Sequence, residues 1–202
     1  MSASFDRVVR SRRMTRAFDP APLDPGVLEQ LVDLASRAPS AGKTQGWRLV
    51  VLEGAETDRF WRHTLAPERR AGFRWQRLLD APVIALPCAE PDAYLARYSE
   101  PDKQRSGLGE SPDAWPVPYW TIDASMAVMT LLLAAEDAGL GALFFGVFRG
   151  ERALRDELGI PDEVVMLGAI ALGRPLAGDA AGRSAGRTRR PAADIIRRGA
   201  WG

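Results

Sequence analysis

Two short stretches of the chain concentrate arginine. Residues 7–16 carry Arg7, Arg10, Arg12, Arg13 and Arg16, and residues 183–198 carry Arg183, Arg187, Arg189, Arg190, Arg197 and Arg198. A guanidinium presents a rigid planar fork of donors that matches phosphate oxygens. If the fold brings the two clusters together, they form a site for a dianionic phosphate. A third stretch, Ala38-Pro-Ser-Ala-Gly-Lys-Thr-Gln-Gly-Trp47, spells out Gly42-Lys43-Thr44, the letters of a nucleoside-triphosphate loop. That loop needs G-x-x-x-x-G-K-[ST] between a strand and a helix, so that backbone N–H groups and a helix N-terminus face the anion. Here the first glycine would stand at Arg37, and a helical pattern precedes while a strand pattern follows, so the triphosphate reading is rejected. Gly139-Leu-Gly141 lacks the third glycine of a dinucleotide fingerprint and follows a helical run, so it reads as a helix C-cap.

The supply of other reactive residues is small. Cys88 is the only cysteine and His63 the only histidine, which removes intrachain disulfides and Cys/His zinc clusters; no metal site is expected. Cys88 lies in the apolar run 82–89 and is expected as an inert core thiol. His63, between Arg62 and Thr64, is expected on the surface or on a helix face. With 46% hydrophobic and 26% charged residues over 202 positions, the chain has the make-up of one folded, water-soluble domain rather than a disordered one. A net charge of +1 argues against general nucleic-acid affinity despite the basic tail, and no recognition motif is present. The N-terminus lacks the apolar stretch of a secretory leader, and the longest apolar run, residues 124–135, is shorter than the roughly 20 residues that span a bilayer. A cytoplasmic protein with neither membrane nor nucleic-acid partners is expected.

The elements that must position these residues follow from hydrophobic period and punctuation. Asp24-Pro25 followed by Leu28, Leu31, Val32, Ala35 and Ala38 predicts a helix that stops at Pro39. Trp47–Leu52 predicts a strand, and a polar helix with Phe60 and Trp61 follows, then a helical piece reaching Leu79. Residues 82–86 predict a central strand, nearly all apolar. Residues 90–118, rich in proline and glycine, predict a long loop with at most one helical turn, acting as a substrate-side lid or insertion. Residues 121–138 predict a helix buried on most faces. A strand over Ala142–Phe148, a helix over Glu151–Leu158 and a strand over Val164–Leu172 complete the pattern. Residues 176–202 predict an extended C-terminal arm, and no second domain is expected within 1–202.

Five motifs in this order, Arg12-Arg13-Met14-Thr15-Arg16-Ala17-Phe18, the Ala38–Trp47 stretch, Gly139–Val147, Leu158–Pro161 with Leu172–Pro175, and Arg187–Pro191, resemble the nitroreductase family of FMN-dependent oxidoreductases. Each motif alone is weak. Their order and spacing agree over nearly the whole chain, which is specific for the superfamily and says little about the subfamily.

The resemblance implies an α+β fold, a nitroreductase-like α/β/α sandwich with a mixed, mainly antiparallel sheet, and an intertwined homodimer with FMN at two interface sites. It implies that Arg12, with Arg187 and Arg189, holds the flavin phosphate, with Arg13 contributing beside it and Met14 standing where a phosphate-binding serine is usual. Arg16 falls where a basic residue reaches the flavin pyrimidine ring. Ser40 falls on the family's loop serine at the flavin, Lys43 replaces a frequent asparagine as a flavin contact, and Gly46 replaces a common proline. Arg77 matches a basic residue near a flavin carbonyl, with an exposed helix face as the equal alternative. Phe145 and Gly146 fall where the backbone approaches the flavin, and a glycine inside a strand often marks such an approach. Trp47 and Phe18 are expected in the core.

The implied activity is hydride transfer from NADH or NADPH through flavin N5 to a nitroaromatic, quinone or similar planar acceptor, with no catalytic side chain required and water able to act as acid. The alternatives are a specialised flavin enzyme of the superfamily, of the flavin-fragmenting benzimidazole synthase or dehalogenase type, and a non-catalytic flavin-binding protein.

Overall fold

The structure, a computed structural model, describes residues 4–178 and 182–201. Its centre is an antiparallel sheet of five strands, β1 (Trp47–Glu53), β2 (Val83–Ala89), β3 (Gly141–Phe145), β4 (Val165–Met166) and β5 (Ala169–Gly173), in the order β1-β2-β5-β3 with β4 paired to β2. Strand β2 is buried along its whole length, as its unbroken apolar run requires. Its side chains alternate between two cores. Ile84, Leu86 and Cys88 face one hydrophobic cluster, while Val83 and Ala85 face the other.

Helices cover both faces. Helix α1 (Phe5–Ser11) opens the chain, and α2 (Val27–Ala35) packs on α6 (Tyr119–Asp137) over the Val83 face. On the Ile84 face lie α3 (Thr57–Thr64) and α7 (Glu151–Leu158), contributing Phe60, Trp61 and Leu154. Two further helices, α4 (Pro67–Arg70) and α5 (Pro91–Tyr98), connect these layers, and α8 (Ala192–Ile195) lies in the exposed tail. This is the expected α+β sandwich. Among the described residues the one parallel contact is the bridge between Met14 and Ala142, where the N-terminal segment closes the open edge of β3.

Helix α6 ends as its sequence predicts. Gly139 is left-handed, its N–H bonds Glu136 O, and Leu140 N–H bonds Ala135 O, which satisfies two orphan carbonyls.

Four boundaries differ from expectation. Helix α2 begins at Val27 after a left-handed Gly26, not at the Asp24 cap. Strand β3 stops at Phe145, and Phe148, expected within it, is 92% exposed. The strand expected over 164–172 is broken into β4 and β5 at Gly168, whose φ of 142° and close approach to Phe145 O leave no room for a side chain. Residues 90–118 are not one loop: α5 starts with Pro91 in its first turn, and Tyr94 and Trp115 pack with Trp120 and Ala124 in a third buried cluster.

The long helix also departs from its forecast. Its inner residues are buried, but Tyr119, Ile122 and Met129 are exposed apolar side chains. With Met126 and Leu133 they form a stripe at alternating spacings of three and four residues.

Candidate functional site

Arg12 caps the C-terminal end of α1, its N–H bonded to Val8 O, and the backbone then leaves the helix in an extended conformation. Thr15 N–H bonds Ala142 O at 3.0 Å and the Thr15 side chain is buried. The neighbouring Gly141 permits this approach, because a Cβ there would lie 2.7 Å from the Thr15 side chain. Residues 12–16 are therefore fixed along the edge of the sheet.

The described part of the C-terminal arm returns to the same place. A cavity of about 360 Å³ is lined by Arg12, Arg13, Met14 and Arg16 from one end of the chain and by Gly182, Ser184, Ala185 and Arg189 from the other, with Arg10 and Ser11 at its margin. No acidic side chain lines it. Nε and Nη1 of Arg12 are buried without a hydrogen-bond partner. Leaving a buried donor unpaired costs about 1–3 kcal/mol, more when it is charged. An anion with several acceptor oxygens removes that cost, so the donor set suits a phosphate.

Arg16 extends the cationic surface. Its Nη1 donates to Met14 O at 2.9 Å, and its guanidinium lies 5.2 Å from the centroid of the Trp75 ring, which Arg74 also approaches at 4.5 Å. Arg77, two residues on, is exposed and ion-paired with Asp80 at 3.0 Å.

The 40–46 loop is held from below by a buried carboxylate. Asp123, in the second turn of α6, accepts from Ala41 N–H at 2.7 Å and from the Tyr94 hydroxyl at 2.8 Å through the same oxygen. Burial, with Asp123 adding to it against an opposing hydrogen bond from Ser40, holds the Tyr94 phenol well above its ordinary range, so it remains a donor. Arg97 Nε donates to Gly42 O at 2.9 Å. Thus α5, inside the segment expected as a lid, buttresses this loop. Lys43 and Gln45 adopt φ of 57° and 54°, a left-handed conformation that costs side-chain-bearing residues about 1–2 kcal/mol each. Gly46 is required by packing, since a Cβ would meet the Tyr94 ring at 2.7 Å.

A second cavity, of about 460 Å³, opens at the C-terminal end of β3. Phe60, Trp61 and Phe145 form an aromatic wall: Trp61 and Phe145 are near-parallel, with centroids 6.1 Å apart and 9° between planes. Gly146 lies beneath the ring of Phe148, which a Cβ would strike at 2.7 Å. No group of three or more His, Cys, Asp or Glu side chains that could hold a metal occurs among the described residues. No helix among them is long and apolar enough to cross a membrane.

Residues 9–174 match the family model described as Nitroreductase family. The chain belongs to the nitroreductase family. A protein of Archaeoglobus fulgidus provisionally named NADH dehydrogenase/NAD(P)H nitroreductase is 28% identical over 84% of each chain. NADH dehydrogenase of Thermus thermophilus is 29% identical over 81% of this chain and 83% of its own. A nitroreductase-like protein of Streptococcus mutans has the same fold, with a TM-score of 0.75 at 18% identity and 96% of each chain covered. Family membership and these relatives make the chain an oxidoreductase of the general flavin type.

In this nitroreductase, Arg12, Arg13, Met14, Arg16 and Arg189 surround one cavity, and Phe145 and Gly146 line another. Arg187, exposed in the arm, lines neither, and Ser40 and Lys43 lie in a loop that reaches neither cavity. Sequence reasoning missed Arg74 and Trp75, which stack beside Arg16, and Asp123 with Tyr94. A lone carboxylate in an otherwise apolar helix was the available signal for Asp123, because a buried charge demands partners. Cys88 is 2% exposed, and burial pushes its thiol up to about 11. His63 lies on a face of α3, as one of the two expected placements had it, partly buried against Glu157 on α7.

Proposed function

We propose that the chain is an FMN-dependent oxidoreductase taking hydride from NADH or NADPH and delivering it to a nitroaromatic, quinone or similar planar acceptor. The observations that carry this reading are the arginine-lined cavity built from both ends of the chain and, on Arg12 in its lining, two buried donors without a partner. Arg12, Arg13 and Arg189 are assigned to the phosphate, with Met14 at its edge; Arg187, which does not line the cavity, is not assigned to it. FMN, when bound, supplies the centre that accepts and releases hydride. Arg16, Lys43 and Arg77 are assigned to hold positive charge beside the ring, where a fixed cation stabilises added negative charge. Ser40, Phe145 and Gly146 are assigned to position the ring and keep water from it.

Ser40 and Lys43 can serve this site only if a second copy brings them. Their loop is tied to α6 through Asp123, and Ile122 and Met129 on the outward stripe of that helix are exposed, while Tyr119 leans on Trp115. A homodimer packed on that stripe is therefore part of the proposal, with residues 90–118 on the substrate side.

The test is a flavin titration followed by anaerobic mixing. FMN is expected to bind, and riboflavin, without the phosphate, about 100-fold more weakly, as loss of two charge-assisted bonds implies. Arg12→Gln should remove most of that difference, with Arg13 and Arg189 retaining a smaller part. Bound flavin should bleach rapidly with NADH or NADPH; failure with both would favour a flavin-binding protein without turnover or a specialised enzyme of the superfamily.

A further inference from the structure

Arg16, in the lining of the arginine cavity, is held by two residues far from it in the chain. Its guanidinium carbon lies 5.2 Å from the centroid of the Trp75 ring. A Cβ on Gly182 would lie 3.2 Å from that carbon and 3.2 and 3.3 Å from the two terminal nitrogens. A point so nearly equidistant from the three atoms sits over the guanidinium plane, so the arm covers one face of the group, and a side chain at 182 would force it away. The indole is itself fixed. Trp75 packs against the hydrophobic cluster on the Ile84 face of the sheet, and its carbonyl accepts from Leu78 N–H at 2.9 Å. The Gln76 side-chain amide donates to the carbonyls of Arg70, Ala71 and Phe73, and Phe18 N–H donates to Arg77 O at 3.1 Å, tying this turn to the segment that carries Arg16. An indole face orients a guanidinium and leaves its charge in place, whereas a carboxylate would occupy the donor fork that an anion needs.

We infer that Trp75 is a positioning residue, which holds the Arg16 guanidinium at the cavity so that the C-terminal arm closes on it at Gly182. The use of that charge beside a flavin rests on the function proposed above; the coupling of Trp75 to the arm through Arg16 does not.

Trypsin cleavage after Arg187 or Arg189 in the full chain as purified reports how often the arm opens. Trp75→Leu should raise the rate about fivefold, the size of one partly exposed cation–π contact, and Trp75→Phe, which keeps a ring face, about twofold. With Arg16→Gln already in place, Trp75→Leu should raise it no further. In protein loaded with FMN, Trp75→Leu should weaken binding of the reduced relative to the oxidised flavin about fivefold, a midpoint potential lower by about 20 mV at about 30 mV per tenfold for a two-electron couple. Trp75→Leu cleaved at the parent's rate would overturn the inference. So would an equal rise in the Arg16→Gln background, since Trp75 would then act through the core and not through Arg16. Coupling of Trp75 to the arm in protein that binds no FMN would support the inference and overturn the cofactor reading. The same coupling with an unmoved potential would support it and overturn only the assignment of Arg16 to the flavin ring.

Discussion

Replacing Asp123 by alanine should loosen the 40–46 loop at a predictable cost. The carboxylate accepts from Ala41 N–H at 2.7 Å and Tyr94 O–H at 2.8 Å. Hydrogen bonds to a charged group are worth about 1.5–3 kcal/mol each, so the two contribute about 3–6 kcal/mol. Against this, Lys43 and Gln45 hold left-handed conformations that cost about 2–4 kcal/mol together. Anchor and strain are of similar size, so an unanchored loop relaxes and recovers part of the loss. The net destabilisation of Asp123→Ala should be about 2 kcal/mol, read as a lower urea midpoint at unchanged slope in tryptophan fluorescence. Tyr94→Phe removes one donor without releasing the strain and should cost about 1.5–2 kcal/mol. Because the two changes act through one bond, the double variant should lie within about 0.5 kcal/mol of Asp123→Ala. FMN affinity should fall about tenfold in Asp123→Ala, since the loop must be re-formed on binding. Fully additive losses, or an Asp123→Ala variant within about 0.5 kcal/mol of the parent, would refute the account of this carboxylate as the anchor.

Three other outcomes are expected. Ile122→Glu with Met129→Glu, both on the exposed stripe of α6, should convert a dimer in light scattering to a monomer and lower flavin retention with it. Arg59 and, secondarily, His63 hold the Glu157 carboxyl below the usual carboxylate range, so its stabilising effect is present above the unfolded pKa and lost as pH falls through the lower folded value. The melting-temperature gap between the parent and Glu157→Gln should accordingly be open at pH 7 and close below about pH 4. Cys88, buried and with its thiol pushed up to about 11, should not react with a disulfide reagent at pH 8 until the chain is denatured.

The arginine cleft was legible in the sequence because clustered like charge needs an explanation, and the only economical one is a shared counter-anion. Arg12, Arg13, Arg16 and Arg189 met as that logic requires. Arg187 did not, and nothing local distinguishes it from its neighbours in the tail. Element types followed from period, and β2 and α7 fall close to expectation. What failed were places where tertiary contact overrides punctuation. Pro91 and the prolines after it suggested a loop, yet Pro91 starts a helix whose Tyr94 seals a buried cluster. Phe148 continued an apolar run, yet the strand stops three residues earlier and its ring folds over Gly146. Gly168 ended a strand for a reason that lies in Phe145, more than twenty positions away.

Helix α6 ties these failures to the site. Its inner side builds the core with Leu131, Leu132 and Ala135, and a nearly uniform apolar composition is what a helix buried all round would have. Such a composition is equally what a helix needs when one face waits for another chain, and hydrophobic period alone cannot separate the two. Asp123 breaks the ambiguity. Its carboxylate ties the loop bearing Ser40 and Lys43 to α6, so in the proposed dimer covering the stripe and presenting the loop would be one event. In the proposed dimer, the cations of a cofactor site would come from both ends of one chain and its loop from another, and flavin retention would then be coupled to association through a single buried acid.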